Sequence, residues 1–231
     1  GLRYSRSRRR NGFIAFISAS SLIGIALGVM ALILGLSAMN GFERELKNRV
    51  LSVVPHGELI GMEAPLPDWP RLRDYLMAQP GIEAAAPVIR LDGLLEHGSA
   101  IEGVQVRAVL PELEANLSDA GNYMTGLGFR ELQAGEHGVI LGKTIADKLG
   151  VKIGDPVTLL LPQGGDETGI KNPRRETLTV VGLLEIGGQL DGVLGFMHLT
   201  DAQSITGMGS AVEGFSLKVN DVLKAQSITV A

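Results

Sequence analysis

The first feature of the chain is a run of 27 residues, Phe13 to Met39, that contains no charged side chain. An α-helix of that length, rising about 1.5 Å per residue, reaches about 40 Å, whereas the hydrocarbon core of a bilayer is about 30 Å thick. The run is roughly twice as long as the apolar region of a cleaved signal peptide, and Ser37-Ala38-Met39 matches a cleavage site only weakly. The pattern therefore predicts a retained transmembrane helix over residues 13–39.

Charged residues flank this run unequally. No acidic residue occurs before Glu43, and five arginines precede the run: Arg3, Arg6, Arg8, Arg9 and Arg10. The positive-inside rule then predicts that residues 1–12 are cytoplasmic and that the residues from Asn40 onward lie on the other side of the membrane. The net charge of the chain is −4, so subtracting the five arginines leaves −9 for the remaining residues. This mild overall charge argues against a nucleic-acid partner, which selects a strong basic excess.

A stripe of small side chains runs along the predicted span at alternating spacings of three and four residues. Its members are Ser21, Gly24, Gly28, Ala31, Gly35 and Ala38. Small residues on one face let two helices approach closely in lipid, where packing drives association. Because twelve of the 27 residues are Gly, Ala or Ser, the stripe favours partner helices without establishing them.

The residues after the span continue a helical pattern. Phe42 to Leu51 is amphipathic, which predicts a helical stalk over residues 40–54 that ends at Pro55. Such a helix could transmit movement across the membrane or could be a solvated stalk, and periodicity supports both equally.

The exterior segment, residues 55–231, contains short apolar strands, turn residues and few helices. A helix is predicted from about Trp69 to Gln79, followed by the stop signal Pro80-Gly81. Alternation of Val106 and Ala108 with Arg107 is typical of a half-buried strand. The order of strands and helices predicts an α+β domain.

Two regions of this domain differ in character. Glu112–Gln133 has a loose, glycine-rich pattern that we interpret as irregular, and residues from about 132 to 205 form a β-rich subdomain. Within the latter, Gln163–Arg175 is polar and indicates an exposed hairpin loop.

The sequence contains no positive sign of an active site, a metal site or a cofactor. There are no cysteines, and the four histidines are scattered without metal-ligand spacing. Gly138 to Thr144 resembles a phosphate-binding loop, but three residues separate its glycines where the P-loop needs four. We interpret Gly142 as allowing a tight turn from strand to helix.

Several stretches together resemble one known family, the LolC/LolE membrane subunits of lipoprotein-releasing ABC transporters. The most specific is Met39-Asn-Gly-Phe-Glu-Arg-Glu-Leu46, and the similarity extends over essentially the whole chain. Val53-Val-Pro-His-Gly-Glu and Gly188-Gln-Leu-Asp favour the LolE type. The segment from Val139 to Asp155 is shared with MacB-type efflux subunits.

The resemblance implies a fold and a set of partners. It implies a MacB-like periplasmic domain with a mixed sheet, inserted after the first of four spans in a subunit of the bacterial inner membrane. The implied partners are a second permease subunit, a cytoplasmic ATPase dimer, a periplasmic lipoprotein chaperone, a triacylated lipoprotein substrate and membrane lipid. ATP hydrolysis is expected in the ATPase, so the chain itself is expected not to be an enzyme.

The resemblance also implies positions that contact the acyl chains of the lipoprotein: Leu32, Leu36, Met39, Asn40 and Phe42. It places Gln163–Arg175 where the partner permease carries a hook that grips the chaperone. Since the chain has one span and begins without methionine, we expect it to be a fragment, truncated at its C-terminus.

Two alternatives stay open. One is a MacB-type efflux permease that works with an outer-membrane channel. The other is a single-span periplasmic scaffold without a transport role.

Overall fold

A computed structural model describes residues 12–53, 57–60, 65–162 and 173–219 of the chain. The five N-terminal arginines and residues 163–172 of the predicted hairpin loop lie outside the described residues. The chain divides into two units, Gly1–Asn48 and Arg49–Ala231.

A single helix, α1 (Gly12–Val53), dominates the first unit and extends into the start of the second. It is 42 residues long and contains no proline, the residue that most often interrupts a helix. The predicted span and the predicted stalk are therefore consecutive parts of one helix. Its segment Phe13–Phe42 is long and apolar enough to cross a membrane.

The second unit is an α+β domain with four helices and eight strands among its described residues. The helices are α2 (Trp69–Met77), α3 (Pro111–Leu117), α4 (Lys143–Leu149) and α5 (Leu199–Thr206). The strands are β1 (Gly57–Ile60), β2 (Ile82–His97), β3 (Ala100–Val109), β4 (Gly138–Gly142), β5 (Pro156–Leu161), β6 (Arg174–Leu184), β7 (Leu194–His198) and β8 (Gly214–Val219).

The strands form one mixed sheet in the order β1-β8-β2-β3-β7-β4-β6-β5. Its β3–β7 and β4–β6 pairs are parallel, and its other pairs are antiparallel. An additional pairing of β5 with β2 closes the last six strands into a barrel. The barrel contains strands from before and after residue 132, where the predicted β-rich segment begins. Strands β2 and β3 come before it and the other four barrel strands come after it.

The long strand β2 belongs to two substructures at once. Its residues 82–88 pair with β8, and Leu94, Leu95 and Glu96 pair with β5. Its 16 residues make it much longer than the usual five or six. One continuous backbone therefore joins the barrel to the smaller β1–β8–β2 sheet.

Each substructure has its own apolar core. The barrel core also takes side chains from α4 and α5, and its fully buried members include Ile89, Leu95, Val106, Leu141, Ile145, Leu159 and Val180. A smaller core lies between α2 and the β1–β8–β2 sheet, with Leu76, Phe215 and Leu217 buried in it. Burial of a side chain of this size contributes roughly 1.5–3 kcal/mol to folding.

The interpretation of Glu112–Gln133 as irregular is wrong. Pro111–Leu117 forms α3, and two 3-10 helices follow it, Asp119–Tyr123 and Gly128–Glu131. A proline at the start of α3 and two acidic residues in its first turn are favourable at a helix N-terminus. These elements have seven, five and four residues. Hydrophobic periodicity is read over windows of about 11–18 residues, so the pattern missed them.

Gly142 is required for a different reason than the predicted turn. Its φ of −57° is open to any residue, so the turn itself does not need glycine. A Cβ at this position, however, would lie only 2.8 Å from Asp191 Cα and would also clash with the Asp191 carbonyl. Asp191 cannot easily move away, since its buried carboxylate accepts hydrogen bonds from the backbone N–H groups of Ile186 (3.0 Å) and Gly187 (2.9 Å).

We predict that Gly142→Ala destabilises the domain by at least about 1–3 kcal/mol, the usual cost of overpacking a well-packed site. Gly103→Ala is the matched control, because Gly103 is also a strand glycine and a Cβ there meets no atom within 4 Å. Thermal unfolding of both variants measures the difference. Equal melting temperatures would contradict this account of Gly142.

Candidate functional site

The surface of α1 between Phe13 and Phe42 is uncharged on every side, mostly apolar and exposed in this chain. None of the side chains in the apolar window is buried by the rest of the protein. Leu22, Leu32, Met39 and Phe42, for example, are each between 67% and 70% exposed. A helix that is apolar all round needs an apolar surrounding, which a bilayer supplies.

The five predicted acyl-contact positions lie on one side of this helix. At about 100° per residue, Leu32, Leu36 and Met39 fall within about 60° of one another. Asn40 and Phe42 flank them, so the set covers about 160° in all. All five side chains are exposed.

The predicted packing stripe is adjacent to this side. Ser21, Gly24, Gly28, Ala31, Gly35 and Ala38 fall within an arc of about 100°, which overlaps the acyl-contact side at Met39 and Phe42. A Cβ at Gly24, Gly28 or Gly35 would meet no atom within 4 Å. Nothing within the described chain therefore explains why these positions are glycines.

A second candidate site is a row of four charged side chains in the α+β domain. Glu58 Oε1 accepts a hydrogen bond from Arg107 at 2.6 Å, and Glu58 Oε2 accepts one from Arg90 at 3.4 Å. Arg90 also donates to Glu213 at 3.0 Å, and this hydrogen bond raises the pKa of Arg90 above its usual value. In the order Arg107, Glu58, Arg90, Glu213, positive and negative side chains alternate, so each carboxylate lies next to a guanidinium.

The sequence pattern did not predict these ion pairs. Arg107 looks like an outward-facing residue of a half-buried strand, but it is only 8% exposed. Its partner Glu58 is 49 residues earlier, so local spacing contains no signal of the pair. The distance along the chain from Arg90 to Glu213 is 123 residues.

Glu114, on α3, is the most deeply buried carboxyl group in this region. It is 1% exposed, its Oε1 accepts a hydrogen bond from Ser118 at 3.3 Å, and its Oε2 has no partner among the described residues. Burial raises the pKa of Glu114, while the nearby Arg107 guanidinium and the Ser118 hydroxyl partly oppose that shift and Glu58 adds to it.

A raised carboxyl pKa in the folded state makes stability fall as the pH rises. The neutral form of Glu114 is favoured, so its contribution is complete below the ordinary glutamate pKa and is lost as the pH rises through the raised value. We predict that Glu114→Gln, which stays neutral, becomes increasingly more stable than the wild type with rising pH. Urea unfolding measured across that range gives the difference.

The control for this prediction is Glu112→Gln, which removes an exposed acid from the same helix. Its stability should run parallel to that of the wild type above the ordinary glutamate pKa, where an exposed carboxyl group is already ionised. A Glu114→Gln curve that is also parallel to the wild type would show that Glu114 is not held neutral.

Comparison with known proteins identifies the type of domain. A sequence model of the MacB-like periplasmic core domain matches residues 18–229. Among solved structures, the extracellular domain of the ABC-type transporter YknZ from Gram-positive bacteria has 12% identity and a TM-score of 0.47, covering 74% of this chain and 78% of that chain.

Relatives with much higher identity have names that refer to lipoprotein release. The lipoprotein-releasing system transmembrane protein LolC of Neisseria meningitidis is 39% identical over 99% of this chain and 55% of its own length. The corresponding LolE of Haemophilus influenzae is 38% identical over 99% of this chain and 56% of its own length. Since the two identities are nearly equal, they give little support to the predicted preference for the LolE type.

The chain thus spans about half the length of these relatives, and the similarity includes both α1 and the exterior domain. The matched residues 18–229 extend from within α1 beyond β8. The chain belongs to the family of the MacB-like periplasmic core domain.

Proposed function

We propose that this chain is the first span and the periplasmic domain of a permease subunit that extracts lipoproteins from the bacterial inner membrane. The observation that carries the proposal is the 38–39% identity, over 99% of the chain, to two proteins named for lipoprotein release. Because the chain covers only 55–56% of those proteins, the complete subunit would supply the further spans.

The proposal includes an orientation and a set of partners. The five arginines before α1 favour a cytoplasmic N-terminus and a periplasmic domain. The partners are a second permease subunit, a cytoplasmic ATPase dimer that hydrolyses ATP, and a periplasmic chaperone that receives the triacylated lipoprotein. The small-residue stripe, open within this chain, is the proposed contact for a partner helix.

The acyl chains of the lipoprotein would contact the side of α1 formed by Leu32, Leu36, Met39, Asn40 and Phe42. Exposed leucine, methionine and phenylalanine side chains offer apolar surface to acyl chains. Asn40 lies at the end of the uncharged run, where a lipid headgroup would begin. The adjacent small-residue stripe would let a second helix form the other wall of the same cavity.

Movement would reach the periplasmic domain through α1. The helix continues without a break from Gly12 to Val53, and β1 begins four residues after its end. A continuous hydrogen-bonded helix moves as a stiff element, so a displacement within the membrane would also displace the start of the domain. ATP hydrolysis on the cytoplasmic side could in this way drive extraction on the other side.

A MacB-type efflux permease is the second candidate, and the description of the matching domain family is the observation that favours it. The two candidates differ in their partners. Crosslinking of the full-length protein would recover a lipoprotein chaperone for the first function and an outer-membrane channel for the second.

We predict that Glu45→Pro reduces lipoprotein release at least tenfold in the reconstituted full-length complex. Proline within a helix removes a backbone hydrogen bond, clashes with the preceding turn and costs about 3 kcal/mol or more, so it bends α1 beyond the span. Membrane insertion should be unchanged, because residue 45 lies after the uncharged run.

Glu45→Ala is the control, since it removes the same side chain and keeps a strong helix former. It should release lipoprotein at the wild-type rate. Normal release by Glu45→Pro would refute the transmission of movement through α1.

A further inference from the structure

Strand β1 is the first element of the domain after α1, and it is a weak point in the sheet. It has four residues, lies at the edge of the sheet and pairs with β8 alone among the described strands. Its backbone ladder runs only from Gly57, opposite Leu217, to Ile60, opposite Gly214. A pull on such a short edge strand would tend to peel it away before it moved the sheet.

The side chain of Glu58 attaches β1 to strands that its backbone does not reach. Its carboxylate bonds to Arg107 on β3 at 2.6 Å and to Arg90 on β2 at 3.4 Å. Both strands lie beyond β8 in the sheet order. One side chain on β1 therefore crosses a neighbouring strand to join the β2–β3 hairpin.

The two arginines that donate hydrogen bonds to Glu58 are also hydrogen-bonded to other residues. Arg107 donates its second N–H group to Ser216 Oγ at 2.8 Å, and Ser216 is the register partner of Glu58 on β8. Arg90 is bonded to Glu213 both through its guanidinium, at 3.0 Å, and through its backbone N–H, at 2.9 Å. Glu58 thus bonds to groups that already have a defined position.

Burial makes this attachment strong relative to other ion pairs of the domain. The Arg107 side chain is only 10% exposed and that of Glu58 is 25% exposed. Removing one partner would leave a buried guanidinium without its counter-charge, which is far more costly than losing an exposed pair. The Lys148–Glu102 pair, at 3.0 Å, has a lysine that is 52% exposed, so its loss should matter little.

We propose that Glu58 is a positioning residue that locks β1 to the β2–β3 hairpin, so that displacement of α1 moves the domain instead of peeling β1 from its edge. The proposal rests on the function proposed above. It adds a residue of the exterior domain to the path of movement. Because β2 continues into the barrel, the locked hairpin would move the barrel together with β1.

The test compares Glu58→Gln with the control Glu102→Gln in the full-length permease, assembled with its partners in proteoliposomes. Lipoprotein released per ATP hydrolysed is the readout, since a defect of folding alone would lower both quantities together. We expect this ratio to fall at least fivefold in Glu58→Gln, with ATP hydrolysis within twofold of the wild type. Glu102→Gln should leave the ratio unchanged.

A disulfide separates loss of attachment from any other effect of the substitution. Gly57→Cys and Leu217→Cys place cysteines at register partners of β1 and β8, whose Cα atoms in an antiparallel pair lie within disulfide range. The chain has no other cysteine. In the Glu58→Gln background, the oxidised complex should recover at least half of the wild-type ratio, and reduction after assembly should abolish the recovery.

The outcomes distinguish this proposal from the one on which it rests. If the wild-type complex releases no lipoprotein, the proposed function fails and the role of Glu58 fails with it. If the wild type is active and Glu58→Gln has the same ratio, only the role of Glu58 is overturned. The cysteine pair in an otherwise wild-type complex is the control, because Leu217→Cys also truncates a buried core side chain. If that control is active, a disulfide that forms in Glu58→Gln without restoring release would also overturn the role of Glu58, because β1 would then be attached and movement still lost.

Discussion

The rest of this structure depends on one constraint: the uncharged part of α1, Phe13–Phe42, is not buried by any other part of the described chain. Thirty residues of α1 carry no charge and are mostly apolar, and none in the apolar window is buried by the chain itself. In water that surface would be strongly unfavourable, at roughly 25 cal/mol per Å². A bilayer would relieve this cost, because its hydrocarbon core is itself apolar. The same helix continues past the uncharged run to Val53, four residues before the first strand of the α+β domain.

The α+β domain has few connections between its two substructures, the small sheet and the barrel. Strand β2 serves both the small sheet and the barrel, and the four-residue strand β1 lies at the far edge from the barrel. The Arg107–Glu58–Arg90–Glu213 chain spans β1, β2 and β3 and approaches the start of β8. Of these four side chains only Arg107 is buried, and the other three are about one quarter exposed. Desolvation offsets much of the attraction felt by a buried charge, so the pair adds less to net stability than its short distance suggests. A fixed geometry is what the proposed attachment of β1 requires.

The sequence predicted the parts of the molecule that depend on local pattern. The apolar helix follows from its uncharged run, and the helix that begins at Trp69 and the alternating strands follow from the local spacing of apolar residues. The resemblance implied the mixed sheet that the structure contains. Contacts between distant residues could not be predicted in this way. Closure of the barrel by β5 against β2, the approach of Asp191 to Gly142 and the partner of Arg107 all join residues tens of positions apart. The acyl-contact positions came from resemblance alone, and the structure adds that they share one side of α1.

The most direct test of the account is photocrosslinking from within α1 in the full-length complex loaded with a triacylated lipoprotein. A photoreactive amino acid at Leu36 lies on the proposed acyl-contact side, and one at Leu34, which is similarly exposed at 64%, lies on the opposite side. The account predicts capture of lipoprotein from Leu36 and capture of membrane lipid alone from Leu34. Equal capture of lipoprotein from both positions, or none from Leu36, would contradict it.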